Sequence, residues 1–264
     1  MLRTVTLDPS DLARTAASVL EAWRAGLIVV VKASGAPPDV HSIYDALLPR
    51  IGTPHYLAED ARLGSREVQR TEALWMEVRY DPRFPQAYRH SPNAQPLHTD
   101  GAYIPTFPNA TLMCCVASAK RGGETVFIAA EQLVDALQAE RPDLLQSLRT
   151  VAMPHARSGD RRVHTVIRRE RGQLLLNWNY YCVAPDCDAS VLELRDRFAA
   201  FLRESPAVRA ALVEVKLQPG DAVVWKDNRL LHGRNAFEAH EASERFLWKC
   251  AVDVGVFSAP QTAR

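Results

Sequence analysis

No stretch of the sequence reaches the roughly 20 consecutive apolar residues that a membrane-spanning helix needs. The N-terminal segment Met1-Leu2-Arg3-Thr4-Val5-Thr6-Leu7 also lacks the apolar core of a secretory signal. No membrane partner is therefore expected, and a cytoplasmic location is. Neither sign of charge is in surplus: 32 Lys and Arg stand against 31 Asp and Glu, a net charge of +1. That balance leaves no electrostatic footprint for nucleic acid or an anionic lipid surface. Cysteine is sparse. Cys114, Cys115, Cys182, Cys187 and Cys250 form an odd set with one adjacent pair and no Cys-x-x-Cys. Such a set supports neither a disulfide framework nor a zinc site, and it reads as reduced thiols used as small buried apolar groups. With 47% hydrophobic and 24% charged residues, the composition excludes disorder. Internal repeats, low-complexity runs and linker-like segments are all missing, so the 264 residues read as a single domain, 1–264. The sequence carries no indication of oligomeric state.

What is present is a succession of short strands with interspersed helices. Asp8-Pro9-Ser10 can open a helix, with Asp8 or Ser10 as its cap, and Leu12, Ala16, Val19, Leu20 and Trp23 then share one face up to Gly26. Leu27 to Val31 is a mostly β-branched run and reads as a buried strand. A short helix is expected over 42–48, a loop over 55–72 and a strand over 74–80. Residues 81–96 carry Pro82, Pro85, Pro92 and Pro96 and must be largely irregular, serving as a substrate cover or a plain connector. Strands are expected over 110–118 and 125–128, with a turn at 121–124 between them. Helices follow over 131–138 and from Pro142, then strands over 163–168 and 173–178, and an amphipathic helix over 190–203. The last third reads as strands over 213–217, 222–225 and 246–254, with a tight turn at Gln218-Pro219-Gly220-Asp221. This pattern predicts an α/β fold with a jelly-roll β-sandwich at its core and flanking helices.

Chemistry concentrates in Leu97-His98-Thr99-Asp100-Gly101. In extended backbone, residues two apart point to the same face, so His98 and Asp100 can both reach one small ion. A catalytic metal needs a third ligand, and His232, in Leu230-Leu231-His232-Gly233-Arg234, is the best candidate. Two histidines and one carboxylate form the facial triad of non-heme iron(II) oxygenases, which keeps coordination positions open. A jelly roll brings residues this far apart in sequence onto one inner face. The other histidines, His41, His55, His90, His155, His164 and His240, are not expected to be ligands.

Several local motifs agree with this reading. They are Leu97-His98-Thr99-Asp100, Gly122-Gly123-Glu124-Thr125, Leu217-Gln218-Pro219-Gly220-Asp221, Asp227-Asn228 with His232-Gly233-Arg234, and Arg245. In this order the chain resembles the taurine dioxygenase/clavaminate synthase-like family of iron(II)- and 2-oxoglutarate-dependent oxygenases. The resemblance implies a cupin-like double-stranded β-helix, with His98, Asp100 and His232 as catalytic iron ligands and with 2-oxoglutarate and O2 as cosubstrates. It further implies that Arg245, thirteen residues after His232, grips the far carboxylate of 2-oxoglutarate with help from Thr125. Arg234 is a looser candidate for the same task. Asp227-Asn228 reads as a turn that shapes the approach to His232.

The implied reaction is hydroxylation of an unactivated C–H bond in a small polar metabolite, such as an amino acid or a derivative, with succinate and CO2 released. Halogenating relatives lack the carboxylate present here as Asp100. Desaturation, cyclisation or epoxidation would use the same cofactors, and a non-catalytic jelly-roll metal-binding protein is the competing class. Candidates for the substrate wall are Trp75 and Glu77, Tyr103, and Asn177 and Asn179; the two spaced pairs are chosen by strand alternation. Arg157, Arg161, Arg162, Arg168, Arg169 and Arg171 form a basic stretch that reads as a solvated hairpin, with an anionic or carrier-bound substrate as the alternative.

Overall fold

A strand in which Ile28, Val29, Val30 and Val31 are all buried has to be covered on both faces. The computed structural model describes residues 1–35, 37, 39–56, 73–85, 87–157 and 159–257, and it shows how that cover is provided. The strands are β1 (Leu2–Thr6), β2 (Ile28–Lys32), β3 (Gly52–His55), β4 (Met76–Arg79), β5 (Gln95–His98), β6 (Ala110–Ala117), β7 (Thr125–Ala129) and β8 (Ala152–Arg157). They continue as β9 (Asp160–Thr165), β10 (Ile167–Glu170), β11 (Gln173–Leu176), β12 (Val213–Val215), β13 (Ala222–Trp225), β14 (Leu230–Arg234) and β15 (Phe246–Val254). The helices are α1 (Leu12–Ala25), α2 (Val40–Ile51), α3 (Ala130–Glu140), α4 (Pro142–Thr150), α5 (Ala189–Glu204) and α6 (Pro206–Ala211).

Two sheets form the jelly-roll core of this α/β fold. The larger runs β1-β2-β13-β6-β15-β3, with β4 also paired to β15; the smaller runs β12-β7-β14-β5. Three apolar layers hold the arrangement together. Outside the larger sheet, α1 and α2 bury Val19, Trp23, Leu47 and Leu48 against Val29, Val31 and Val224. Between the sheets lie Ile28, Val30, Met113, Phe127, Trp225 and Leu247. Outside the smaller sheet, α3 to α6 bury Leu133, Leu148, Phe198 and Val208 against Ile128 and Leu231. Strand alternation supplies both faces of each sheet, and non-directional burial of these side chains is the main stabilising term.

Three expectations are corrected. The strand expected over 163–168 is divided: β9 ends at Thr165, Val166 is buried between strands, and β10 opens a second hairpin. Asp11, not Asp8 or Ser10, caps α1 by accepting from Arg14 N at 2.9 Å. β1 and β8 were not expected; β1 is mostly exposed edge strand, and β8 carries Pro154 and no clean alternation. The loop expected over 55–72 lies, beyond Tyr56, outside the described residues.

Candidate active site

The smaller sheet carries the two histidines. β5 and β14 are neighbours, with His98 opposite His232. β5 ends at His98, and the chain turns at once through Asp100-Gly101. Gly101 holds that turn at φ +57°, where a Cβ would collide with the Phe107 ring. Thr99 faces away from the histidines; its N–H donates to Trp178 O at 2.7 Å, and its hydroxyl oxygen accepts from Trp178 N at 3.1 Å. The segment is thereby pinned from behind, and Asp100 is presented in front.

Donor atoms of His98, Asp100 and His232 all lie within 4.8 Å of one another. Asp100 Oδ1 is 3.7 Å from His98 Nε2 and 3.8 Å from His232 Nε2. His98 is oriented through its other nitrogen, and the corresponding nitrogen of His232 faces a carboxylate without a hydrogen bond. His98 Nδ1–H donates to Pro96 O at 2.8 Å, which leaves Nε2 unprotonated, with the Gln95 side-chain amide nitrogen 3.2 Å from it. His232 Nδ1 lies 3.3 Å from Asp227 Oδ1. Burial pushes both imidazoles below the ordinary histidine range, His232 to about 4, so both are neutral at pH 7. Burial opposes ionisation of Asp100, but the Lys249 ammonium and the two imidazoles outweigh it and hold the carboxyl well below its usual range. Two neutral imidazoles and one carboxylate are the donor set of a facial iron triad.

Residues that the sequence reading missed complete this surround. Lys249 Nζ lies 2.5 Å from Asp100 Oδ2, and the Thr111 hydroxyl donates to the same oxygen at 3.1 Å. Asp227 does more than shape a turn: its Oδ2 accepts from Asp100 N at 2.8 Å and its Oδ1 from Trp225 Nε1 at 3.0 Å. Burial, then repulsion from Asp100, pushes the Asp227 carboxyl well above its usual range. Lys249 shares its strand face with Arg245, a parity readable in sequence once β15 is drawn; its contact with Asp100 is not.

The cosubstrate candidates sit further along the same ladder. His232 pairs with Phe127, and Arg234 with Thr125. Two residues along a strand is about 7 Å, the length scale of a five-carbon diacid. Thr125 and Arg245 line one small gap of about 10 Å³ between the sheets. Arg245 Nη2 donates to Gly123 O at 3.2 Å, while its Nη1 is buried with no hydrogen-bond partner. Arg234 uses Nη2 on Ser91 O at 2.9 Å and on Asn93 O, leaving Nε and Nη1 buried and unpaired. Both guanidinium groups stack on Phe237, at 5.0 Å for Arg234 and 5.2 Å for Arg245. Orphaned buried N–H groups on cations are costly unless an anion meets them. Together with the triad's donor set, they fit an iron-bound dicarboxylate.

A sequence model described as the taurine catabolism dioxygenase TauD, TfdA family matches residues 5–251. The chain belongs to that family. As a TauD/TfdA-family protein it is an iron(II)- and 2-oxoglutarate-dependent dioxygenase. Among similar proteins is a uridine-5'-phosphate dioxygenase of Amycolatopsis sp., 24% identical over 84% of this chain and 82% of its own length. A protein of the same name from Streptomyces sp. is 28% identical over 60% of this chain and 61% of its own length. Among solved structures, an asparagine oxygenase superposes with a TM-score of 0.69 at 14% identity, covering 96% of this chain and 93% of that one. The non-heme iron oxygenase OrfP, in complex with iron and α-ketoglutaric acid, gives 0.65 at 16% identity, over 96% and 94%.

In this TauD/TfdA-family chain the triad opens onto a cavity of about 700 Å³. Tyr103 and Asn179 line it; Trp75, Glu77 and Asn177 do not. The strand alternation assigned to β4 is out of phase. Met76 and Val78 face the cavity, while Trp75 packs in the outer core with Nε1 donating to Asp45 and Glu77 pairs with Arg79 at 2.9 Å. Asn177 is buried behind the wall and donates to Ala102 O at 3.2 Å. The irregular segment contributes Ala87, Tyr88 and Arg89 to the lining, so it covers the cavity as well as connecting strands. Among the described residues no helix is long and apolar enough to cross a membrane.

Proposed function

We propose that this dioxygenase hydroxylates an unactivated C–H bond of a small polar metabolite, an amino acid or a derivative of one, releasing succinate and CO2. His98, Asp100 and His232 hold the iron. Arg245 and Thr125 hold the far carboxylate of 2-oxoglutarate, with Arg234 beside them. One observation carries the reading: three donor atoms within 4.8 Å of one another open onto a cavity of about 700 Å³, the size of a small-ligand site. When bound, iron, 2-oxoglutarate and O2 supply the oxidant that such a bond requires. The chain's own residues position and shelter. Asp227 holds the Asp100 amide and faces His232 Nδ1, Lys249 and Thr111 fix Asp100 Oδ2, and the 87–89 segment keeps bulk water from the metal. Desaturation, cyclisation or epoxidation would follow from a different placement of the substrate carbon.

A second substrate reading, a nucleoside phosphate, draws on the relatives named for uridine 5'-phosphate. Either reading makes the partner a small molecule and not a nucleic acid, and five unbridged cysteines suit a reducing cytoplasm. The experiment is a screen of amino acids and nucleotides for substrate-stimulated succinate release, after anaerobic titration of the iron protein with 2-oxoglutarate. A charge-transfer band on adding 2-oxoglutarate is expected. His98→Ala and His232→Ala should each abolish that band and iron-dependent succinate formation. Folded, iron-loaded protein with no such band would defeat the reading.

A further inference from the structure

Two buried guanidinium groups share one aromatic ring. Arg234 and Arg245 are each 4% exposed, and their guanidinium carbons stand over Phe237, 5.0 and 5.2 Å from its centroid. Their hydrogen bonds go to carbonyl oxygens, Arg245 to Gly123 and Arg234 to Ser91 and Asn93. Glu124, an acid whose charge Arg245 feels, is held by Lys216 at 3.3 Å and by the Asn235 amide. Burial lowers Arg245 to about 10 and Arg234 to about 9, and repulsion from Arg245 adds to the shift of Arg234. Two like charges pressed together away from water repel strongly. The ring is what they have in common. Its negative face attracts a cation, most strongly where water is excluded.

Phe237 is itself pinned. Its N–H donates to Pro92 O at 3.0 Å, and it bridges Gly122 in antiparallel sense. Its neighbours extend that pairing, through Gly123 N to Ala236 O and Glu238 N to Arg121 O, both at 3.1 Å. The ring stands edge-on to Tyr80, with centroids 6.2 Å apart and planes at 88°. Tyr80 N–H in turn donates to Arg245 O at 2.9 Å, so one residue braces both the ring and the backbone of a guanidinium that the ring carries. The Gly122-Gly123 motif supplies the room. Gly123 sits at φ +77°, and a Cβ there would lie 3.0 Å from Arg245 Nε and 3.3 Å from Phe237 Cβ. Phe237 itself lines neither the large cavity nor the small gap shared by Thr125 and Arg245.

Resting on the dioxygenase reading, we propose that Phe237 is the positioning residue of the cosubstrate site. Its ring keeps the Arg245 guanidinium aligned on the gap shared with Thr125, against the repulsion of Arg234 beside it. The unpaired Nη1 of Arg245 is thereby in place before the far carboxylate arrives, and binding carries no cost of alignment.

The test replaces Phe237 by a series of increasingly fluorinated phenylalanines, which drain the ring face of negative charge with little change of shape. Anaerobic iron-loaded protein is titrated with 2-oxoglutarate and read by its charge-transfer band. The half-saturating concentration should rise stepwise along the series, reaching about tenfold for the most fluorinated ring and for Phe237→Leu. Iron(II) affinity, measured by competition with a chelator, should stay put. In the Arg245→Ala background the slope of the series should shrink, because the ring then has one cation fewer to hold. A merely structural ring would lower the unfolding midpoint and leave the 2-oxoglutarate affinity of the folded protein alone. A flat series in folded, iron-loaded protein therefore overturns the proposal, and so does an undiminished slope in Arg245→Ala. Absence of the band in the unsubstituted protein defeats the dioxygenase reading instead, and it is seen before any variant is titrated.

Discussion

Asp100 shows how a carboxylate is divided between two tasks. Oδ1 faces both imidazoles, and Oδ2 is taken by Lys249 and Thr111. The sequence discloses the first task, because His98 and Asp100 stand two apart and the His232 motif supplies a plausible third ligand. It conceals the second, because Thr111 and Lys249 reach Asp100 only through the pairing of β6 with β15. Asp227 is the clearest case of a residue under-read. Its local signal is that of a turn, and it does sit in the 3-10 turn Asp227–Arg229. Its carboxylate, however, touches the Asp100 amide and stands beside His232 Nδ1. A carboxylate behind a metal-bound histidine fixes the ring and raises its basicity. Asp227→Asn keeps the shape but replaces one of the two accepting oxygens with an NH2 that can only donate. The expected outcome is an iron(II) affinity weakened by about 10- to 100-fold, measured by competition with a metal chelator. A merely structural role would lower the unfolding midpoint and leave the affinity of the folded protein alone.

Elements were most legible where one period dominates. α1, α3, α5 and β2 follow their apolar patterns closely, because burial on one face or on both is written into the chain. Phase was less legible. Alternation read from Trp75 points Trp75 and Glu77 toward the cavity, yet Met76 and Val78 face it: within β4 only that parity is apolar, and Trp75 lies just before the strand and packs in the outer core. Hairpin boundaries near Val166 were blurred, as β9 and β10 both alternate weakly. His155 on β8 ties these elements together. Its Nε2 accepts from Asn179 N at 3.4 Å, and its Nδ1 lies 3.3 Å from both Met153 O and Asn177 Nδ2. Burial pushes His155 down to about 4, so the folded state holds it neutral while the unfolded chain titrates near 6.5. Between those values the unfolded state binds more protons, so stability falls as pH falls. Full stability from this group is present above about 6.5 and is lost progressively toward 4. Urea unfolding of the metal-free protein at pH 6.5 and 4.5 should show the effect. The wild type should lose about 2 kcal/mol more than His155→Gln over that interval. Equal losses would show that His155 is not held neutral by the fold.

At the scale of the molecule, the site is a joint between two sheets. His98 and His232 belong to the smaller sheet with Thr125, whereas Lys249 lies on β15 of the larger one and Arg245 directly precedes that strand. On the proposed assignment, metal ligation alone would fasten the smaller sheet to the Asp100 turn, and a dicarboxylate reaching Arg245 would fasten that sheet to its partner. A ligand that binds only the folded state adds stability that grows as the logarithm of one plus its free concentration over its Kd. The two ligands should therefore act together, because the orphaned Arg245 Nη1 is met only when 2-oxoglutarate is anchored at the metal end as well. Thermal unfolding with Mn(II), with 2-oxoglutarate and with both measures this directly. The midpoint should rise modestly with Mn(II), barely with 2-oxoglutarate, and by more than the sum with both. Arg245→Ala should keep the Mn(II) increment, lose the extra one, and raise the 2-oxoglutarate concentration needed for half-maximal stabilisation by about tenfold or more. If Arg245→Ala kept the full combined increment, the guanidinium would not be the far anchor, and the cosubstrate would have to be held within the smaller sheet by Thr125 and Arg234.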